Sequence, residues 1–188
     1  MVSSDVFSIL AVCTGIVCRS PALERLLASR LGPTVSVSSA GTHALVGNPI
    51  SDPMAALIRN AGAEPEPFEA RRLSEQMLRE VGLILVMTRA QRGIVVELWP
   101  AAVRRTFTLR EFARLLSRID PSALPAGTPA ERLRAAIPLA SAERGGARTP
   151  PDEDDVVDPF RLRKEVYEYS FAQIVSAVDT LNRAIVTK

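Results

Sequence analysis

The sequence predicts an α/β fold, in which a four-stranded parallel sheet carries helices on both faces and so forms three layers. Two apolar runs, at residues 6–12 and 83–87, contain no Gly or Pro and are typical of strands buried in a parallel sheet. Each run is followed by a segment with the spacing of a helix. Because strands alternate with helices, each connection is expected to cross over the sheet in a right-handed sense.

The first helix has clear boundary signals. Ser20 is a good N-cap, Pro21 is favoured at the first helical position, and Gly32 followed by Pro33 ends the helical pattern. The remaining elements are predicted in this order: a strand at 35–39, a loop at 41–49, helices at 51–60 and 74–80, the strand at 83–87, a helix at 89–98, a strand at 105–109, and helices at 109–117 and 162–186.

The composition changes at residues 118–151. This segment holds six of the 14 prolines together with runs of Ala, Gly and Arg, and only residues 130–140 have helical character. We interpret it as a partly ordered excursion on the surface of a single domain that spans residues 1–188. The acidic run at residues 152–155 is expected to be a solvated face.

Composition excludes several classes of function. The 23 basic and 21 acidic residues leave a formal charge of +2, whereas nucleic-acid-binding proteins usually carry a strong basic excess. No segment reaches the ~18 apolar residues of a membrane span, and the N-terminus lacks the basic region of a signal peptide. The sequence therefore predicts a cytoplasmic protein with no membrane insertion and no nucleic-acid partner. Cys13 and Cys18 show no zinc-type spacing with the single His43, so no metal site is expected.

Residues 13–20, which we call the phosphate loop, join the first strand to the first helix. Backbone amides of such a loop converge on a tetrahedral anion, and the helix N-terminus adds positive potential. The arginine can place two donors on phosphate oxygens. The same field favours a thiolate at the cysteine. An isolated Cys is usually a small buried apolar residue, but the combination with Gly15, an arginine and a Ser-Pro helix start favours a site. The predicted phosphate-binding residues are Thr14, Gly15, Ile16, Val17, Cys18, Arg19 and Ser20, with Cys13 as the nucleophile.

At these residues the chain resembles the low-molecular-weight protein tyrosine phosphatases. Its VCTGIVCRSP is similar to the family's V-C-x-G-N-x-C-R-S-P. The likeness continues at residues 39–42, 49–53, 83–87 and 158–160, so it covers the chain except for residues 118–151.

The resemblance implies a mechanism that needs no cofactor. Cys13 would form a phosphocysteine, Arg19 would bind the phosphate, and Asp158, in the sequence Asp-Pro-Phe, would act as general acid. Asp154 and Asp155 are rival acids nearby. Further implied roles are a contact of Ser20 with the Cys13 sulfur, a reversible disulfide between Cys13 and its redox partner Cys18, and a substrate cleft that includes Leu45 and Phe160.

Two departures from the family pattern are linked in our interpretation. Ile16 replaces the family's loop Asn, although a β-branched residue is disfavoured at positive φ. Phe68 stands where many members have a His. We hypothesise that Ile16 and Phe68 pack against each other and support the loop in place of the polar pair.

Three functions remain open. The leading prediction is hydrolysis of phosphotyrosine in proteins. The second is a protein-arginine phosphatase, although Val17 stands where those members carry Thr. The third is a weakly active phosphate-binding regulatory module, because of Ile16. The sequence ALVG at residues 44–47 is similar to a bacterial subgroup, which implies a tyrosine autokinase of polysaccharide export as partner.

Overall fold

The computed structural model describes residues 6–145 and 149–186. Its sheet has four parallel strands in the order β2-β1-β3-β4. Cys13, the last residue of β1, pairs with Gly41, the last residue of β2. The predicted parallel sheet is confirmed, and the strands are β1 (Phe7–Cys13), β2 (Val35–Gly41), β3 (Leu83–Val86) and β4 (Thr106–Thr108).

The helices cover both faces of this sheet, as predicted. Side chains alternate along β1: Ile9 and Ala11 belong to a large apolar cluster, and Leu10 and Val12 to a smaller one on the other face. The α-helices are α1 (Arg19–Leu31), α2 (Asp52–Asn60), α3 (Glu75–Arg79), α4 (Arg89–Leu98), α5 (Leu109–Leu116), α6 (Pro129–Glu143), α7 (Pro151–Asp154) and α8 (Lys164–Ile185), and short 3₁₀ helices occupy Pro100–Arg105 and Pro121–Ala123.

Helix α6 lies inside the segment for which the sequence indicates a surface excursion. Thr128 and Glu131 form a capping box at its start. Its buried face, which includes Leu133 and Ala136, belongs to the large cluster that β1 and β3 also build. The apolar residues of this face are mostly small alanines with helical spacing, and Pro-rich flanks obscure the pattern. The excursion therefore contributes a helix to the core.

No helix within residues 6–145 and 149–186 combines the length and apolar character that crossing a membrane requires.

Candidate active site

The phosphate loop begins at the end of β1 and runs into the first turn of α1. Cys13 is buried, and its Sγ lies 2.9 Å from the Oγ of Ser20. Because α1 begins at Arg19, the N-terminal amides of this helix lie at the end of the loop. The loop thus places a thiol beside a hydroxyl group and beside the positive end of a helix.

The loop after β2 holds the phosphate loop by its backbone. Consecutive carbonyl groups of the phosphate loop accept hydrogen bonds from it, so the polar groups of the loop backbone are paired. A Cβ atom on Gly41 would lie 2.6 Å from the carbonyl oxygen of Thr14, so only glycine allows this approach. The three bonds are Thr42 N to Cys13 O (3.0 Å), His43 N to Thr14 O (3.0 Å) and Leu45 N to Gly15 O (3.2 Å).

Ile16, which stands where the family's pattern has Asn, adopts a left-handed backbone conformation. Its φ is +56°, and its side chain is fully buried in the large cluster. A β-branched residue in this region is strained by about 1–3 kcal/mol. Phe68 packs, partly buried, against the same cluster. Direct support of Ile16 by Phe68 stays a prediction.

Arg19 and Asp158 meet although 139 residues separate them in the chain. The Arg19 guanidinium is buried and donates to Oδ2 of Asp158 at 2.6 Å and to the carbonyl oxygen of Val156 at 3.1 Å. The Asp158 side chain is 50% exposed. The fold therefore brings the proposed general acid to the phosphate loop.

The rival acids have structural contacts instead. Asp154 is buried and accepts from the guanidinium groups of Arg89 and Arg114 at 2.6 and 3.0 Å. The hydrogen bond to Asp154 raises the pKa of Arg89. Asp155 accepts from the backbone amide of Arg89 at 2.8 Å, at the start of α4. The expectation that the acidic run is a solvated face is wrong for Asp154, because arginines of α4 and α5 converge on it.

Helix α8 holds the backbone just before Asp158. Gln173 accepts from the amide of Val157 at 3.0 Å, and the Ser170 hydroxyl donates to the Val157 carbonyl at 2.8 Å. Oδ1 of Asp158 accepts from the amide of Phe160 at 3.2 Å. We call residues 152–160 the acid segment.

The predicted site residues, except Ser20, line one cleft of about 170 Å³. Residues 13–19 line it, together with His43, Leu45, Asp158 and Phe160. Ser20 is fully buried and does not line the cleft, so its contact is with Cys13. Leu45 and Phe160 are 38% and 39% exposed at the rim.

One supporting residue escapes sequence reasoning. Gln91 is buried, and its Nε2 donates to the Thr14 hydroxyl at 3.0 Å. Its Oε1 accepts from the amides of Met87 and Thr88, at 3.0 and 3.1 Å. The Thr88-x-x-Gln91 pattern is a helix-start signal and gives no indication of a contact with the phosphate loop.

A family model described as low molecular weight phosphotyrosine protein phosphatase matches residues 8–120. The chain belongs to this family. It is 39% identical over 114 residues to the low molecular weight protein-tyrosine-phosphatase Etp of Escherichia coli K12, covering 61% of this chain and 76% of that one. It is also 35% identical over 131 residues to a protein-arginine-phosphatase of Geobacillus stearothermophilus, covering 69% and 86%. The resemblance stated from the sequence is confirmed, and with it the class of phosphoric monoester hydrolases.

Solved structures agree on the fold. The tyrosine phosphatase AmsI of Erwinia amylovora superposes with a TM-score of 0.71 at 23% identity, covering 97% of this chain and 95% of that one. The arginine phosphatase YwlE of Geobacillus stearothermophilus gives 0.69 at 26% identity, covering 94% and 91%. Both tyrosine and arginine phosphatases therefore share this architecture.

Cys18, the second cysteine of this phosphatase, is a buried free thiol, as is Cys13. Its Sγ lies 3.3 Å from the Ser51 hydroxyl oxygen and donates to the Tyr167 hydroxyl at 3.9 Å. Burial raises the pKa of the Cys18 thiol, and hydrogen bonds from its neighbours oppose this only in part. Its role as redox partner of Cys13 stays a prediction.

Among the residues that the structure describes, no group of three or more His, Cys, Asp or Glu side chains could hold a metal ion.

Proposed function

We propose that this chain hydrolyses phosphotyrosine in proteins through a phosphocysteine intermediate. The observation that carries the proposal is the meeting of Cys13, Arg19 and Asp158 in one cleft. Family membership supports the reaction class. A site built only to bind phosphate has no use for a carboxyl group beside the anion.

In the first step the Cys13 thiolate attacks phosphorus, so a P–S bond forms and the P–O bond to the tyrosine ring breaks. Asp158 as a carboxylic acid gives its proton to the departing phenolate. Arg19 and the amides of the phosphate loop bind the phosphoryl oxygens and stabilise charge in the transition state. In this proposal the amide groups that bind the phosphoryl oxygens belong to Thr14, Gly15, Ile16, Val17, Cys18, Arg19 and Ser20.

In the second step water attacks the phosphocysteine. The Asp158 carboxylate takes a proton from the water, the P–S bond breaks, and inorganic phosphate forms. The Ser20 hydroxyl, 2.9 Å from the sulfur, donates a hydrogen bond to the leaving thiolate. The contact is buried, so water does not compete for it.

The cleft rim favours an aromatic substrate group. Leu45 and Phe160 are both partly exposed there and offer apolar surface to a phenyl ring. Val17 adds no polar group that would pair with a guanidinium. Dephosphorylation of phosphoarginine is the second candidate function, because a protein-arginine-phosphatase is 35% identical to this chain. Parallel assays with phosphotyrosine and phosphoarginine peptides distinguish the two functions.

The partner assignment is part of this proposal. The substrate is a phosphotyrosine protein, and we infer that it is a bacterial tyrosine autokinase of polysaccharide export. Residues 44–47 support this choice, since they resemble that subgroup and Val46 is 68% exposed beside the cleft. The same proposal includes a cytoplasmic location, where thiols stay reduced. It also includes a single domain that spans residues 1–188, with residues 118–151 as an excursion.

The test is hydrolysis of p-nitrophenyl phosphate under reducing conditions by the wild-type chain, Cys13→Ser and Asp158→Asn. We expect Cys13→Ser to abolish turnover and Asp158→Asn to lower it sharply. A wild-type chain that binds phosphate without turnover would replace this proposal by the weakly active regulatory module, with Ile16 as the cause. Turnover that persists in Cys13→Ser would contradict the phosphocysteine.

A further inference from the structure

A second groove of about 600 Å³ runs between α5 and α8, outside the cleft of the phosphate loop. Among the described residues that line it there is no Asp or Glu. Its lining includes the arginines Arg110, Arg114 and Arg183, the 59% exposed Tyr169, and the polar side chains of Gln173 and Ser176. The volume lies within the range of about 300–1,000 Å³ that is typical of ligand sites.

Two of the three arginines of this groove have no paired acid among the residues that the structure describes. Within the described parts of the chain, neither Arg110 nor Arg183 has a carboxylate oxygen within 4.0 Å. Arg183 donates to the Thr180 hydroxyl at 3.0 Å. Arg110 donates to backbone carbonyl groups of the acid segment, at 2.8 and 3.0 Å.

Arg114 adds to this excess of positive charge. It shares the single buried carboxylate of Asp154 with Arg89, so two guanidinium groups face one acid. Its Nε is buried and has no hydrogen-bond partner among the described residues. A groove lined by three guanidinium groups and no carboxylate attracts negative charge.

The groove adjoins the back of the acid segment. Gln173, which lines the groove, accepts from the amide of Val157, and Arg110 donates to the Asp155 carbonyl. A ligand in the groove would therefore contact residues that also hold the backbone leading to Asp158.

We propose that this groove binds an acidic peptide segment of the protein substrate. The inference rests on the proposed function only in taking the partner to be the substrate. Carboxylates of the peptide pair with the guanidinium groups, the exposed Tyr169 ring covers its apolar atoms, and Gln173 and Ser176 offer hydrogen bonds to its backbone. A nucleic acid is disfavoured, because the formal charge of the whole chain is only +2.

The test is fluorescence anisotropy at low salt with a labelled, unphosphorylated octapeptide of alternating glutamate and glycine. We expect Arg183→Gln to weaken binding up to about fivefold, as partly exposed ion pairs allow. Ser176→Glu, which adds a carboxylate at an exposed position of α8, should weaken binding at least about tenfold. Ser176→Gln has the same shape as Ser176→Glu without the charge and should stay within about twofold of the wild type. The same holds for Arg104→Gln, which removes an exposed arginine outside the groove.

Activity assays separate this inference from the proposed function. The kcat/KM for a glutamate-flanked phosphotyrosine peptide should fall in Ser176→Glu, while p-nitrophenyl phosphate hydrolysis stays unchanged. Peptide binding that is absent in the wild-type chain, or equal in all four variants, would overturn the inference even if the phosphatase is active. Stronger binding of a single-stranded oligonucleotide with the same variant dependence would assign the groove to nucleic acid and equally overturn it. A chain that binds the peptide but has no phosphatase activity would refute the proposed function alone.

Discussion

The phosphate loop and the acid segment face the same cleft, but different kinds of contact hold them. The phosphate loop is fixed by backbone hydrogen bonds from its neighbouring loop and by burial, since Cys13, Ile16 and Arg19 are all at most 4% exposed. The acid segment is fixed by side chains of α4, α5 and α8 that bond to its backbone and to Asp154. Its proposed general acid, Asp158, is half exposed.

This difference matches the two chemical tasks. Amide groups that bind a phosphoryl oxygen have to be in place before the reaction, so their loop is rigid and buried. An acid that first donates a proton and then accepts one from water needs contact with solvent. A change in the phosphate loop should therefore affect stability and activity together, whereas a change at Asp158 should affect activity alone.

The largest expected effect distinguishes two acids of the acid segment, Asp158 and Asp154, by their influence on turnover and on stability. Asp158→Asn should lower kcat for phenyl phosphate about 10²–10³-fold, because the phenolate then leaves without a proton. The loss of kcat should be smaller for p-nitrophenyl phosphate, because p-nitrophenolate is a better leaving group than phenolate and depends less on protonation. Steady-state kinetics with the two substrates checks this.

Asp154→Asn is the matched control. Asp154 is buried with two arginines that are only 32% and 26% exposed, so its loss should lower the free energy of unfolding by about 2–4 kcal/mol. Asp158→Asn should change it by less than about 1 kcal/mol. Urea unfolding measures both. Normal stability with lost turnover in Asp154→Asn would make Asp154 the acid and invalidate the contrast.

A second pair of variants tests the rigidity of the phosphate loop. Gly41→Ala places a methyl group against the Thr14 carbonyl, so it should lower stability by about 1–3 kcal/mol and kcat/KM up to about 100-fold. Gly93→Ala, in α4 with no atom within 4 Å of the new methyl, should raise stability by about 0.5–1 kcal/mol. Thermal unfolding and steady-state kinetics of both variants test this prediction. Equal stability and equal kcat/KM of the two variants would show that the phosphate loop tolerates displacement.

The buried thiol of Cys18, in the phosphate loop, makes the stability of the folded chain depend on pH. Its pKa is raised above the ordinary value of 9.0, so the unfolded chain loses this proton at lower pH than the folded chain. The thiol's contribution to stability is therefore complete below about pH 9 and is lost as the pH rises through the folded pKa. Cys18→Ser should show a smaller fall in the urea midpoint between pH 7 and pH 10. An identical fall would mean that Cys18 contributes nothing to it.

The smallest expected effect concerns Ile16 and Phe68. If the two side chains support each other, a double-mutant cycle of Ile16→Ala and Phe68→Ala should give a coupling energy of about 0.5–1 kcal/mol. Urea unfolding of the wild type, both single variants and the double variant supplies the four values. Additive losses would remove the hypothesis and leave the large cluster alone as the support of Ile16.

The fold and the phosphate loop were predictable from local signals in the sequence. The apolar runs of β1 and β3, the Ser-Pro start of α1 and the Cys-x₅-Arg spacing all lie within short stretches of chain. The pattern 158–160 indicated Asp158 only through family resemblance. The sequence did not indicate that Asp154 is buried with arginines, since those arginines come from α4 and α5, 65 and 40 residues away.

By itself the sequence determined the parallel sheet and the place of the phosphate loop after β1, and it predicted Cys13 as the nucleophile, because strand periodicity and loop chemistry are properties of neighbouring residues. Only the tertiary structure decided which acid reaches Arg19, why Gly41 must lack a side chain, and that α6 completes the core. Each of these depends on contacts between residues distant in the chain, and such contacts are set by how the helices pack on the two faces of the sheet.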